Sequence, residues 1–135
     1  MLSPMIWGNS IWASIHYIAL GAPAYLKPED KQNYKNFFLA IGHVLPCQKC
    51  SYNFQKHLYE IPIDNYLNTK DQLFEWTVKL HNLVNKEQNK PQWSVEQAKL
   101  YYLNNKKPIK YNLYYIVAVA IFVIIIFLFI KRKPI

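Results

Sequence analysis

Sulfur is scarce in this chain: Cys47 and Cys50 are its only cysteines among 135 residues. Two cysteines are too few for the disulfide framework that holds small secreted domains together. The first ten residues, MLSPMIWGNS, lack the basic region and apolar run of a secretory signal, and the chain contains no N-x-S/T sequon. These absences weigh against a domain that folds in the secretory lumen.

Acidic residues are missing beyond Glu96, and six of the 16 basic residues lie after residue 105. The formal net charge of +8 is therefore concentrated at the C-terminal end, and residues 1–105 keep ten basic and eight acidic residues. A nearly neutral domain followed by a basic end indicates a membrane surface more than a nucleic acid. We expect no nucleic-acid partner, and the 52% hydrophobic content is ample for a packed core.

Residues 111–130 read YNLYYIVAVAIFVIIIFLFI and carry no charge. A helix needs roughly 20 apolar residues to span a bilayer. Tyrosines stand at one end of this stretch, as in an interfacial aromatic belt, and the basic tail 131–135 follows the other end. The stretch predicts a C-terminal transmembrane helix. A buried core helix is the alternative, but such helices rarely lack polar residues over this length.

The orientation of this helix is not decided by charge, because three basic residues flank each end. Only five residues follow the span, and no signal precedes the domain. Such a helix inserts after synthesis is complete, as a tail anchor. We therefore expect a single-pass membrane protein whose residues 1–105 face the cytosol, joined to the span by the basic linker 106–110.

Helical spacing dominates residues 9–105, and no alternating strand pattern of useful length occurs there. Trp12 and His16 are four residues apart, so they share a helical face. Pro28 opens a second helix and Pro46 ends it, which places the start of a third helix at about Cys47. The pattern predicts two further helices at about 70–88 and 94–104, and therefore a compact helical bundle.

The C-x-x-C pair would begin the third helix, where unpaired backbone N–H groups and the helix dipole stabilise a thiolate. Lys49 adds a positive charge, and the two-residue gap lets the sulfurs bond to each other. A redox disulfide is one interpretation, and inert core thiols are another. A thioredoxin-like site would need a preceding strand.

Zinc is a further alternative for this region, because four potential ligands are close in sequence. Their spacing, H-x3-C-x2-C-x6-H, differs from the usual finger pattern, and His57 would lie two helical turns beyond Cys50. We therefore expect no metal site, and we expect His43 and His57 to be ordinary helix residues.

A second polar cluster occurs in HNLVN, where His81 and Asn85 share a helical face and Asn82 lies beside them. Such groups are usually solvated, but apolar neighbours crowd these ones, and buried polar groups need hydrogen-bond partners. Trp12 and His16 combine an aromatic wall with a polar tip in the same way. Two such helices suit a flat heteroaromatic ligand with polar edges.

Three motifs in this order carry a family resemblance: W-G-x3-W-x3-H, then L-P-C-x2-C, then W-x4-H-N-x-V-N-x4-K-P. They resemble the ERV/ALR family of FAD-linked sulfhydryl oxidases, and most of all its short virus-encoded members. The resemblance covers residues 7–93. It implies an all-α fold, in which a four-helix bundle with a short fifth helix binds FAD beside the C-x-x-C.

The resemblance also implies roles for individual residues. Cys50 would be the sulfur next to the flavin, and Cys47 would meet the incoming thiol. The positions that match flavin-contacting residues of the family are Gly8, Trp12, His16, Cys50, His81, Asn82, Val84, Asn85, Lys86, Lys90 and Trp93. The implied reaction oxidises a dithiol to a disulfide and reduces O2 to hydrogen peroxide.

Two departures from the family pattern bear on this expectation. Asn9 occupies a position that is often arginine in cellular members, which puts one flavin contact in doubt. The chain also lacks the second cysteine pair with which many members shuttle electrons, so a separate dithiol protein or relay protein should be the direct substrate. A homodimer is frequent in the family, and the resemblance leaves one open for this chain.

The resemblance to viral members suggests a role in virion assembly, at a host membrane and the virion membrane. The alternative function is a non-catalytic, membrane-anchored helical adaptor with a structural zinc or an inert cysteine pair.

Overall fold

A computed structural model describes residues 2–104 and Phe122. By its internal contacts the chain divides into two compact units, Met1–Asn104 and Asn105–Ile135. The predicted linker 106–110, transmembrane helix 111–130 and basic tail 131–135 lie outside the described residues, apart from Phe122. None of the helices in the described part of the chain has the length and apolarity that a membrane span requires.

The described domain is all-α, as predicted. Its helices are α1 (Pro4–Leu20), α2 (Pro28–Val44), α3 (Gln48–Glu60), α4 (Lys70–Glu87) and α5 (Val95–Asn104), with a 3₁₀ turn (Ile63–Tyr66) between α3 and α4. The predicted start of α3 and the predicted limits of α4 and α5 agree with these bounds to within one residue. An isolated antiparallel bridge between Tyr25 and Thr69 is the single β feature found within residues 2–104.

Side-chain caps decide where several helices start. Ser94 and Gln97 form the predicted capping box: the Gln97 N–H donates to Ser94 Oγ (3.1 Å) and the Ser94 N–H donates to Gln97 Oε1 (2.9 Å). The first helix begins earlier than the spacing from residue 9 predicts. Ser3 caps it by accepting from the Met5 N–H (3.4 Å), and Pro4 is suited to the first helical position.

The core is centred on α4, whose inner face is fully buried. Trp76 has no exposed surface, and its indole N–H donates to the Ile61 carbonyl over 2.8 Å. Phe38 of α2 packs edge-on against Trp76, with ring centroids 5.2 Å apart. The adjacent Phe37 is 37% exposed, so α2 buries only a narrow face.

Close packing of α2 against α3 depends on Gly42. A Cβ on Gly42 would lie 3.0 Å from Phe54 Cδ1, closer than side chains normally approach. The Ser51 hydroxyl also donates to the Gly42 carbonyl. These contacts position α3, and with it the cysteine pair at the start of that helix.

Candidate active site

The two cysteines form a disulfide at the N-terminus of α3. Cys47 is the N-cap of the helix, and its Sγ accepts from the Cys50 N–H over 3.2 Å. The prediction that the motif opens a helix is therefore confirmed. After reduction, backbone N–H groups and the positive end of the helix dipole would stabilise a thiolate at this position.

A cleft of about 530 Å³ lies beside the disulfide, between α1, α3 and α4. Its volume falls within the range of about 300–1,000 Å³ that is common for ligand sites. Cys50 lines the cleft, whereas Cys47 does not. The other lining residues of the cleft come largely from three helices and include Gly8, Asn9, Ile11 and Trp12 of α1; Lys49, Asn53 and Phe54 of α3; His81, Val84, Asn85 and Glu87 of α4.

Trp12 and His81 form one aromatic wall of the cleft. Their rings are parallel to within 5°, with centroids 4.0 Å apart. Gly8 faces open space, unlike the closely packed Gly42: a Cβ on Gly8 would have no atom within 4 Å. The glycine therefore widens the cleft and is not required by any contact among the described residues. A flat aromatic surface beside open space suits a planar ligand.

A buried chain of hydrogen bonds lies behind this wall. His16 Nε2 is 3.1 Å from His81 Nδ1, and His16 Nδ1 is 2.9 Å from Thr77 Oγ1. The Thr77 hydroxyl in turn donates to the Phe74 carbonyl over 2.7 Å. The histidines thus satisfy each other inside the domain, as buried polar groups must.

Burial keeps both of these histidines neutral. Desolvation, with a smaller contribution from the nearby His81, lowers the pKa of His16 to about 3. Desolvation, followed by the positive charge of Lys90, lowers the pKa of His81 to about 4. Near neutral pH each ring therefore carries one proton and offers one donor and one acceptor.

The C-terminal end of α4 brings Lys90 to the cleft. Asn89 has a φ of 53°, in the left-handed region that asparagine tolerates, and the Lys90 N–H donates to the Asn85 carbonyl over 2.8 Å. This turn reverses the chain directly after the helix. Lys90 consequently lines the cleft, where its charge favours an anionic ligand group.

The structure brings together seven of the predicted site residues around the cleft: Gly8, Trp12, Cys50, His81, Val84, Asn85 and Lys90. His16 lies one layer behind, against His81. The Asn82 amide instead holds the Trp93 backbone, donating to its carbonyl (2.8 Å) and accepting from its N–H (2.9 Å). Lys86 does not line the cleft either. The ligand contacts predicted for all of these residues stay predictions.

Sequence reasoning missed a polar link between α3 and α4. Glu87 Oε2 accepts from Asn53 Nδ2 over 2.9 Å, and Glu87 Oε1 lies 3.3 Å from His57 Nε2 without the alignment of a hydrogen bond. The other ring nitrogen of His57 is 3.4 Å from Glu60. His57 is 97% buried and lies between the carboxylates of Glu60 and Glu87, a burial that the sequence did not predict.

Metal ligation is not indicated by the described residues. Within residues 2–104, no group of three or more His, Cys, Asp or Glu side chains is arranged to hold an ion. His43 Nδ1 contacts Gln55 Nε2 at 3.3 Å, and His57 faces carboxylates rather than the cysteines. The four potential zinc ligands considered from the sequence are therefore not gathered at one point.

Comparison with known proteins gives a consistent answer. The model of the Erv1 / Alr family matches residues 9–103. A probable FAD-linked sulfhydryl oxidase of Acanthamoeba polyphaga mimivirus is 41% identical over 85 residues, which are 62% of this chain and 59% of that protein. A protein of Invertebrate iridescent virus 3 with the same description, marked putative in its name, is 31% identical over 67% of this chain and 62% of its own length. The chain thus matches about three fifths of these relatives.

The fold has solved counterparts. The FAD binding domain of Erv1 from Saccharomyces cerevisiae superposes with a TM-score of 0.68 and 25% identity, covering 79% of this chain and 96% of that domain. A cysteine mutant of the same yeast protein gives a TM-score of 0.71 at 24% identity, covering 78% and 87%. Since the family model covers more than half of the sequence and the helical core has the same fold, the chain belongs to the Erv1 / Alr family.

Proposed function

We propose that this chain is an FAD-dependent sulfhydryl oxidase, which converts a dithiol of a partner protein to a disulfide and passes the two electrons to O2, producing hydrogen peroxide. The observation that carries the proposal is the position of the Cys47–Cys50 bond, with Cys50 inside an aromatic cleft and Cys47 outside it. Family membership and the names of the viral relatives support the same reaction.

The cleft residues fit FAD. Gly8 leaves open space where a Cβ would stand, Trp12 and His81 offer a parallel aromatic wall, and Lys90 provides a cation for a phosphate. FAD, when bound, supplies the two-electron acceptor and the reaction with O2, neither of which a side chain provides. The chain's own part is to place Cys50 beside the ligand and to exclude water from that side.

The thiol chemistry follows from the different surroundings of the two sulfurs. A partner thiolate attacks Cys47 Sγ, so a mixed disulfide forms and Cys50 leaves as a thiolate. Cys50 is in the first turn of α3, where the helix N-terminus stabilises that negative charge. The partner's second thiol then displaces Cys47 and leaves with a new disulfide. The electron pair remains on the Cys47–Cys50 dithiol, and oxidation of this pair restores the bond.

The direct substrate is proposed to be a separate dithiol protein. Cys47 and Cys50 are the chain's full complement of cysteines, so no further pair within it can relay electrons. The relatives from large DNA viruses favour a role in disulfide formation during virion assembly. A homodimer is proposed from family membership, and the exposed Phe37 of α2 offers apolar surface for one.

We further propose that residues 111–130 anchor the protein in a membrane. The support is the uncharged 20-residue stretch with tyrosines at one end and three basic residues after the other. That residues 1–105 face the cytosol stays a prediction. Protease treatment of sealed vesicles that carry the full chain tests it: digestion of the domain supports the orientation, and protection contradicts it.

The oxidase proposal is tested with the full chain purified in detergent. We expect a yellow protein that consumes O2 when dithiothreitol is added. Cys47→Ser and Cys50→Ser should keep the bound flavin and lose at least about a hundredfold in oxygen uptake, whereas Tyr52→Phe, an exposed neighbour on α3, should retain activity. A colourless, inactive protein that binds zinc would favour the adaptor alternative instead. Full activity in either cysteine variant would contradict the assigned roles.

A further inference from the structure

The hydrogen bonds of the buried chain behind the cleft run in one direction from donor to acceptor, and the Phe74 carbonyl at the end of the chain determines that direction. A backbone carbonyl can only accept a hydrogen bond, so the Phe74 oxygen takes the single hydroxyl proton of Thr77. Thr77 Oγ1 is left with lone pairs alone. The hydrogen bond between this oxygen and His16 Nδ1, at 2.9 Å, therefore requires the ring nitrogen to carry the proton.

The proton position on His16 in turn determines the proton position on His81. A neutral His16 with its proton on Nδ1 has a lone pair on Nε2. His81 Nδ1, 3.1 Å away, must then donate to it. A neutral His81 with its proton on Nδ1 has a bare Nε2 on the other side of the ring. Low pKa values of both rings agree with the neutral forms that this assignment requires.

We propose that Thr77 sets the tautomer of His81 through His16, so that His81 presents Nε2 to the cleft as a hydrogen-bond acceptor for an N–H or O–H group of the bound ligand. The nature of the ligand rests on the proposed function: FAD has such donors in its amine, imide and hydroxyl groups. Thr77 does not line the cleft. It is therefore a positioning residue, which acts on the ligand through two rings.

Loss of the Thr77 hydroxyl would change the hydrogen-bonding character of His81 in the cleft wall and would leave its side chain in place. His16 Nδ1 would lose its acceptor, and the tautomers of both rings would be released. His81 could then carry its proton on Nε2, which turns an acceptor into a donor facing the ligand's own donor. A plain helical role of Thr77, in which its hydroxyl only bonds the preceding turn, predicts no such change.

Histidine tautomers can be observed directly. The full chain, with ¹⁵N-labelled histidine, is studied in detergent by long-range ¹H–¹⁵N correlation, and signals are assigned by their loss in His16→Gln and His81→Gln. We expect a protonated Nδ1 and an unprotonated Nε2 in both rings. Addition of FAD should shift the His81 Nε2 signal and leave its Nδ1 protonated.

Variants at Thr77 separate positioning from plain packing. In Thr77→Val we expect His81 to move to the Nε2-protonated form or to a mixture, and FAD to bind about 3- to 10-fold more weakly, as for one lost hydrogen bond. Thr77→Ser should restore both. A wild-type His81 protonated on Nε2, or an unchanged tautomer in Thr77→Val, would overturn the proposal. So would FAD binding that leaves the His81 Nε2 signal unmoved.

These outcomes are distinguishable from failure of the oxidase proposal. If FAD does not bind at all, the proposed function fails, while the ligand-free spectrum still decides whether Thr77 sets the tautomer. If Thr77→Val does not fold, the wild-type spectrum alone can refute the assignment.

Discussion

The indole of Trp12 lies parallel to the imidazole of His81, with 4.0 Å between ring centroids and 5° between planes. The two rings come from α1 and α4, so their contact joins these helices and forms one wall of the cleft at once. Its position matters because Cys50 lines the same cleft. The redox bond and the aromatic wall are thus held together by the packing of three helices.

The alanine variant of Gly8 separates stability from ligand binding. Glycine within a helix costs about 0.5–1 kcal/mol relative to alanine, and a Cβ on Gly8 would meet no atom within 4 Å. We expect Gly8→Ala to raise the free energy of unfolding by that amount, measured without added FAD. The new methyl group should narrow the cleft and weaken FAD binding by about 1–3 kcal/mol, as overpacking does. Unchanged FAD affinity by titration would show that the ligand does not approach α1 here.

The matching change at Gly42 should have the opposite effect on stability. Its Cβ would lie 3.0 Å from Phe54 Cδ1, and Phe54 is 97% buried. We expect Gly42→Ala to lower the free energy of unfolding by about 1–3 kcal/mol. Chemical denaturation of the two glycine variants side by side measures the difference. A stabilised Gly42→Ala would mean that α2 and α3 do not approach as closely as described.

Stability should fall on mild acidification because of His16 and His81. Their folded-state pKa values, about 3 and about 4, lie below the usual 6.5, so only the unfolded chain takes up protons as the pH drops below 6.5. Between pH 7.5 and 5.5 each histidine should therefore lower the free energy of unfolding by about 1.4 kcal/mol. The stability is present above the unfolded pKa and is lost as pH falls toward the folded values.

Urea denaturation at the two pH values, in wild type and in His81→Gln, measures this contribution. The variant should show the smaller pH dependence, and His43→Gln, at an exposed site, is the matched control. An equal dependence in wild type and His81→Gln would contradict the neutral assignment of His81.

The Glu87 carboxylate should stabilise the position of α3 against α4. It accepts from Asn53 and lies against buried His57. We expect Glu87→Ala and Asn53→Ala each to lower the free energy of unfolding by about 1–2 kcal/mol. The double variant should lose less than the sum, with a coupling energy of at least about 0.5 kcal/mol. Strict additivity in denaturation experiments would show that the two side chains do not act together.

Turnover provides a second measurement for this link. Because α3 carries the cysteine pair, Glu87→Ala and Asn53→Ala should move that helix. We expect both variants to reduce dithiothreitol-dependent oxygen uptake more than they weaken FAD binding. Lys79→Ala removes an exposed ion pair with Glu75 on α4, remote from the cleft lining, and serves as the control. A loss of FAD affinity equal to the loss of turnover would argue against a specific effect on the cysteines.

Local signals in the chain were sufficient to predict the helices and the opening of α3. The prolines at 28 and 46, the capping box at Ser94 and the three-to-four-residue spacing act within one turn of helix, and such short-range effects do not depend on the rest of the fold. The narrow buried face of α2 was not predicted, because spacing shows which residues share a face and not how much of that face a neighbouring helix covers.

The sequence by itself determined an all-helical domain, a paired thiol at a helix start and two polar–aromatic faces. Tertiary structure decided that Cys50 rather than Cys47 lines the cleft, that Thr77 orders the two histidines, and that Asn53 meets Glu87. These hydrogen-bonded partners are 61, 65 and 34 residues apart in the chain. Their meeting depends on the angles and separations at which helices pack, and packing is set by the whole core at once.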